Sequence, residues 1–158
     1  MELNLPDLEA TACLGRALAE IVAAVKPPLP VFFYGDLGAG KTTLISALVR
    51  CLPGGKDAET SSPSFTLSNM YATDPPVAHY DLYRQENGAT DESLLDFLDG
   101  ERHVVLIEWA ERLPARALPA ERIACYLEAG DTGRKARLEV FGRDAGRIAA
   151  ALREALHA

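Results

Sequence analysis

Residues 31–42 read Val31-Phe32-Phe33-Tyr34-Gly35-Asp36-Leu37-Gly38-Ala39-Gly40-Lys41-Thr42: four apolar residues run straight into the pattern G-x-x-x-x-G-K-[ST]. A short, continuously apolar run is the mark of a strand buried on both faces, as in a parallel sheet. Beyond the glycines, Thr42 to Leu52 reads as a helix closed by Pro53-Gly54-Gly55. Strand, Gly-rich loop and helix form the context in which this pattern holds phosphate. Its glycines let successive backbone N–H groups point inward at phosphate oxygens, and the helix N-terminus adds the positive end of its dipole. The expected phosphate loop is therefore Asp36, Leu37, Gly38, Ala39, Gly40, Lys41, Thr42 and Thr43. Lys41 is placed to reach β- and γ-phosphates, and the Thr42 hydroxyl to ligate Mg²⁺.

Outward from this stretch, the chain alternates helices with strands. Leu14, Leu18, Ile21, Val22 and Val25 lie on one face of a helix that ends before Pro27-Pro28. Phe65 to Tyr71 and Val77 to Tyr83 read as two strands joined by the turn Asp74-Pro75-Pro76. A short helix over Ser93 to Leu98 stops near Gly100, and Val104-Val105-Leu106-Ile107 is a second buried strand. Ile123 to Glu128 and Ala136 to Phe141 flank Gly130-Asp131-Thr132-Gly133, a hairpin signal, before a final helix from about Asp144 to Leu156. The pattern predicts an α/β fold with a mainly parallel sheet flanked by helices and antiparallel strands at an edge. At 158 residues, residues 1–158 are expected to form one domain.

Composition narrows the function. Apolar residues make up 48% and charged residues 25%, the balance of a globular protein. The net charge of −7 argues against a wide phosphate-neutralising surface, so direct nucleic-acid binding is not the expected main activity. No run approaches the roughly 20 apolar residues of a membrane span, and Met1-Glu2-Leu3-Asn4-Leu5 lacks the features of a signal peptide. Cys13, Cys51 and Cys125 are odd in number and far apart, with no C-x-x-C spacing. They read as buried free thiols in a reducing compartment, which points to the cytoplasm.

A phosphate loop that works with magnesium needs a carboxylate at the end of a buried strand. Two residues qualify. Glu108 directly follows the apolar run 104–107, and Asp81 lies in His79-Tyr80-Asp81-Leu82-Tyr83-Arg84. Trp109, the single tryptophan, reads either as core or as the opposite face of the strand if the strand continues. Ser62-Pro63-Ser64-Phe65 is a loop by composition and is placed to sense a γ-phosphate, as switch segments do. The N-K-x-D element of guanine recognition is absent, so adenine is the expected base. Arg134, Lys135 and Arg137 read as the solvated face of a hairpin or as the Arg-rich lid of a kinase. A small nucleoside or metabolite kinase is therefore the second functional reading, beside an ATPase.

These elements together resemble the TsaE (YjeE) family, the small P-loop ATPases of tRNA threonylcarbamoyladenosine biosynthesis. The resemblance rests on Thr11-x-x-Leu14-Gly15-x-x-Leu18-Ala19, Gly35 to Thr43, Ser62-Pro63-Ser64-Phe65, His79-x-Asp81-Leu82-Tyr83-Arg84, Ile107-Glu108-Trp109 and Gly133-Arg134. Ser64 stands where the family usually has Thr, with the hydroxyl retained. The resemblance implies a domain that binds ATP or ADP with Mg²⁺. Thr42 and Glu108 would match the magnesium positions, Asp81 an acidic residue linked to hydrolysis, and Thr11 and Arg134 outlying nucleotide contacts. Lys41, Asp81 and Glu108 are thus the expected catalytic set. The resemblance also implies action with the TsaB and TsaD proteins, with tRNA reached only through that complex.

Overall fold

The computed structural model describes residues 1–86 and 91–157. Its seven strands are β1 (Glu2–Leu5), β2 (Val31–Tyr34), β3 (Ser68–Tyr71), β4 (Val77–Asp81), β5 (Val104–Glu108), β6 (Arg122–Ala129) and β7 (Arg134–Phe141). Four helices accompany them: α1 (Leu8–Ala24), α2 (Lys41–Cys51), α3 (Glu92–Asp99) and α4 (Ala145–His157). The strands form one sheet in the order β1-β7-β6-β2-β5-β4-β3. The central four, β6-β2-β5-β4, are mutually parallel. β3 flanks them antiparallel on one side; on the other, β7 runs antiparallel to β6, and β1 pairs antiparallel with β7 at the edge. This is the P-loop NTPase-like α/β arrangement that the sequence predicts, with antiparallel strands at both edges rather than one.

The apolar runs are continuous because both faces of the central strands are covered. Val31 and Phe33 of β2 meet Leu14, Leu18 and Val22 of α1 and Leu44 and Leu48 of α2 in one core. Phe32 points the other way, into a second cluster with Ala78, Tyr80, Val105, Ile107 and Leu94 of α3. Period-two alternation thus divides one strand between two cores.

Helix starts follow their capping residues. Asp7 accepts a hydrogen bond from the Ala10 N–H at 2.8 Å and Asp91 one from the Leu94 N–H at 3.1 Å. α2 differs: its cap is Gly40, and among the described residues no side chain caps its first turn. The donors there are left for something else.

Three sequence expectations are corrected. β1 reads as no element in the sequence, yet it pairs with β7, Leu3 opposite Ala136. The strand expected over Phe65 to Tyr71 begins only at Ser68, because Leu67 adopts a left-handed backbone at φ 68°. Cys13 and Cys51 are exposed rather than buried; Cys125, in β6, is buried as expected. Burial pushes the Cys125 thiol up to about 12. Among the described residues, no helix is long and apolar enough to cross a membrane.

Candidate active site

The parallel strands bring their carboxyl ends to one edge of the sheet, where an open α/β sheet places its ligands. β2 runs into the Gly-rich loop, β4 ends at Asp81 and β5 ends at Glu108; Asp81 and Glu108 sit side by side in register. Arg134 opens β7 beside Ala129, at the same edge. Leu37, Gly38, Gly40, Lys41, Thr42, Thr43, Ser62, Ser64, Asp81, Tyr83, Arg84, Glu108, Trp109 and Arg134 line one cleft of about 390 Å³. Asp36 and Ala39 lie on the flank of the loop, facing Tyr34 and Tyr126. Thr11 is not among the cleft-lining residues; buried on α1, it donates its hydroxyl to the Asp7 carbonyl at 3.1 Å.

Gly40 is required twice over. Its φ of 101° suits glycine, and a β-carbon there would lie 2.6 Å from Arg134 Nε. Arg134 therefore drapes across the loop at the start of α2. Its Nε is buried without a hydrogen-bond partner among the described residues. A buried N–H of a guanidinium with nothing to donate to, beside uncapped helix donors, is matched to an anion.

Lys41 is buried, and Nζ donates to the carbonyls of Gly35 at 2.5 Å and Asp36 at 2.9 Å. Nζ also lies 4.0 Å from the centroid of the Trp109 ring, within cation–π range. Burial holds the lysine below its ordinary range, and the Glu108 and Glu111 carboxylates oppose that shift. Trp109 is half-buried against the second core, as the core reading expects, and is not the next residue of a strand. β5 ends at Glu108, the backbone turns left-handed at Trp109 with φ 58°, and the ring reaches across to the lysine. Tyr83 packs against that ring at a tilt of 43°, centroids 4.9 Å apart.

The two carboxylates occupy different environments. Thr42 Oγ1 stands 3.0 Å from both oxygens of Glu108, so one hydroxyl proton is shared between them. His79 Nε2 contacts Glu108 Oε1 at 2.9 Å. Asp81 instead accepts from the Ser62 hydroxyl and, at 2.9 Å, from the Tyr83 N–H. Ser62 Oγ lies 3.1 Å from Ser64 Oγ, so the Ser62–Phe65 loop is tied to Asp81 and not to Glu108. Phe65 itself is 86% exposed, with the Arg84 guanidinium 4.5 Å from its ring centroid.

Thr42 and Glu108 offer only oxygens, which suits a hard cation such as Mg²⁺. Among the described residues no group of three His, Cys, Asp or Glu side chains is placed to hold a metal unaided. The lid reading of Arg134, Lys135 and Arg137 loses its basis, since β7 is paired along one edge with β1 and along the other with β6. Tyr83, Arg84 and Trp109 in the cleft, and His79 and Tyr71 behind Glu108, are residues to which sequence reasoning gives no role. The signal was the histidine in the quoted His79-to-Arg84 motif and the tryptophan beside Glu108.

A family model described as "Threonylcarbamoyl adenosine biosynthesis protein TsaE" matches residues 5–137, well over half the chain. A tRNA threonylcarbamoyladenosine biosynthesis protein TsaE of Synechocystis sp. is 39% identical over 121 residues, covering 72% of this chain and 73% of its own. Its namesake in Nostoc sp. is 37% identical over 146 residues, covering 89% and 86%. The crystal structure of Bacillus subtilis YdiB superposes with a TM-score of 0.75 at 27% identity, over 98% of this chain and 94% of that one.

Proposed function

The chain belongs to the TsaE family, and from that premise we propose that it is an ATP-binding accessory protein of tRNA threonylcarbamoyladenosine biosynthesis that hydrolyses ATP with Mg²⁺ beside the TsaB and TsaD proteins. One observation carries the reading to the residues. The uncapped start of α2, Lys41, the Thr42–Glu108 pair and the unpartnered Arg134 Nε converge on one cleft at the carboxyl edge of the sheet.

The division of labour follows from this placement. The N–H groups of residues 37–42 receive the α- and β-phosphates, helped by the positive end of α2. Lys41 exchanges its two carbonyl acceptors for β- and γ-phosphate oxygens, and the Trp109 ring lines its path. Thr42 and Glu108 would hold Mg²⁺, which when bound would offset the charge that develops on the phosphate oxygens. Arg134 donates Nε–H to the nucleotide at the start of α2. Asp81 orients the attacking water once Ser62 leaves it, which links hydrolysis to the conformation of residues 62–65. Thr11 acts, if it reaches the nucleotide, from beyond this cleft.

The cleft is open to solvent, and in such a site phosphoryl transfer is slow until groups are fixed and water excluded. A partner that orders Ser62 to Phe65, or supplies a charge as arginine fingers do in trans, would complete it. The expected outcome is weak ATPase activity alone, marked stimulation by the TsaB–TsaD pair, and little affinity of the isolated chain for tRNA at physiological salt. Phosphate release with and without the pair, beside tRNA filter binding, tests this. Full activity alone with no response to the pair eliminates the accessory role. Tight, salt-sensitive tRNA binding eliminates the argument from net charge.

A further inference from the structure

His79 is fully buried in the middle of β4, with none of its surface exposed. Its ring is held from both ends. Nε2 lies 2.9 Å from Glu108 Oε1, and Nδ1 lies 3.4 Å from the Tyr71 hydroxyl on edge strand β3. A carboxylate can only accept, so Nε2 carries a proton, and in the neutral ring Nδ1 is then the acceptor for the tyrosine O–H. Beyond Glu108 the same row continues to the Thr42 hydroxyl on α2. Four side chains from β3, β4, β5 and α2 thus form one line, buried from Tyr71 to Glu108 and half-buried at Thr42, that ends at the phosphate loop.

We propose that His79 is a positioning residue for Glu108: its Nε2–H fixes the carboxylate so that the oxygens face Thr42, and Tyr71 fixes the tautomer that makes this possible. The inference rests on the reading of Glu108 as a magnesium residue and adds what orients it. Three features support a positioning role over simple core filling. The ring is fully enclosed, so its one donor has no water to turn to. The contact is made to Oε1 of the same carboxylate that Thr42 holds from the other side. Glu108 is the last residue of its strand, paired with Phe33 and Asp81 and followed by a left-handed turn, so the sheet fixes its backbone while its carboxylate takes its direction from side-chain partners. Outer partners of this kind typically alter metal affinity by about 10–100-fold when removed.

Two amides separate the alternatives, because they share chemistry and differ in reach. His79→Gln carries its amide nitrogen the same number of bonds from the backbone as Nε2; His79→Asn stops at the position of Nδ1. Nucleotide affinity is measured for each with Mg²⁺ and with chelator, by calorimetry on ADP. His79→Asn is expected to lose about tenfold of the enhancement that Mg²⁺ gives, with chelator affinity unchanged, and His79→Gln to retain most of it. Equal enhancement in both, or equal loss in both, overturns the inference. The native protein supplies a second measurement that needs no variant to fold. The chain has three histidines, and ¹⁵N spectra of the imidazoles should show one slowly exchanging Nε2–H that shifts when Mg²⁺ is added to the ADP complex. A buried ring protonated at Nδ1 alone overturns it as well. A native chain that binds no ADP under either condition refutes the proposed function itself, and this inference with it.

Discussion

Gly15 sits in α1 where that helix crosses α2, and the crossing leaves no room for a methyl group. A β-carbon at Gly15 would lie 2.5 Å from Ala47 Cβ, 2.9 Å from the Ala47 carbonyl carbon and 2.9 Å from the Leu48 nitrogen. Carbon atoms in good contact stand about 3.5–4.0 Å apart, so the helices would have to part by roughly 1 Å. Two of the three obstacles are backbone atoms in mid-helix, which cannot rotate aside. Overpacking of this kind costs about 1–3 kcal/mol, and the rigid obstacles place Gly15→Ala near the top of that range. Alanine also restores about 1 kcal/mol of helix propensity. The net loss is then about 2 kcal/mol, or a fall in Tm of roughly 4–8 °C for a domain of this size. Because α2 begins with Lys41 and Thr42, the same displacement should weaken nucleotide binding. Calorimetric melting of the variant beside the parent, with ADP titration, provides the check. A Tm equal to or above that of the parent would show that propensity outweighs the contact, and the account of α1–α2 packing would be wrong.

Four other outcomes are expected. Lys41→Ala should keep its fold by circular dichroism while losing most nucleotide affinity and nearly all phosphate release; unchanged ATPase activity in a folded variant removes the P-loop reading. Glu108→Ala should abolish the magnesium dependence of ADP binding, whereas Asp81→Ala should bind ATP nearly normally and turn over poorly; equal loss of binding in both contradicts the assigned roles. A disulfide-exchange reagent near pH 8 should modify Cys13 and Cys51 in the native protein and Cys125 only after unfolding, since burial pushes that thiol up to about 12; three fast thiols would refute this. Burial, and then the neighbouring Tyr126, push Tyr34 from 10.0 up to about 12, so its contribution to stability is complete below pH 10 and is lost as the pH rises toward 12. Tyr34→Phe should flatten the fall of Tm over that window, and an identical alkaline profile in the variant would falsify the assignment.

The central architecture was legible because its signals are redundant. β2 and β5 are apolar on both faces, and the loop between β2 and α2 has a motif with a physical reason for every fixed residue. The rest depended on partners that a linear reading does not contain. β1 has four residues, of which only Leu5 is buried, and it exists because β7 offers an edge. Cys13 reads as a buried thiol in the sequence, but adjacent residues on a helix point about 100° apart; Leu14 faces the core, and Cys13 does not. Trp109 was read by strand alternation, which fails where the backbone turns left-handed. Glu108 and Asp81 are both visible as candidates, but their different environments come from His79 and Ser62, which lie 29 and 19 residues from them in the sequence.

The strand that leads into the phosphate loop waits long for both of its neighbours. Phe32 of β2 pairs with Ile107 on one side and with Ala124 on the other, both on segments made much later by the ribosome. Until β5 and β6 emerge, β2 is an apolar strand with two open edges, and the loop that follows it has no sheet to hang from. Such long-range parallel pairing is slow to close and exposes sticky surface while it is incomplete. Nucleotide binding should therefore arise late and all at once during synthesis. A nascent chain stalled before residue 122 should fail to retain ADP and should engage chaperones, while one extended past β7 should release them.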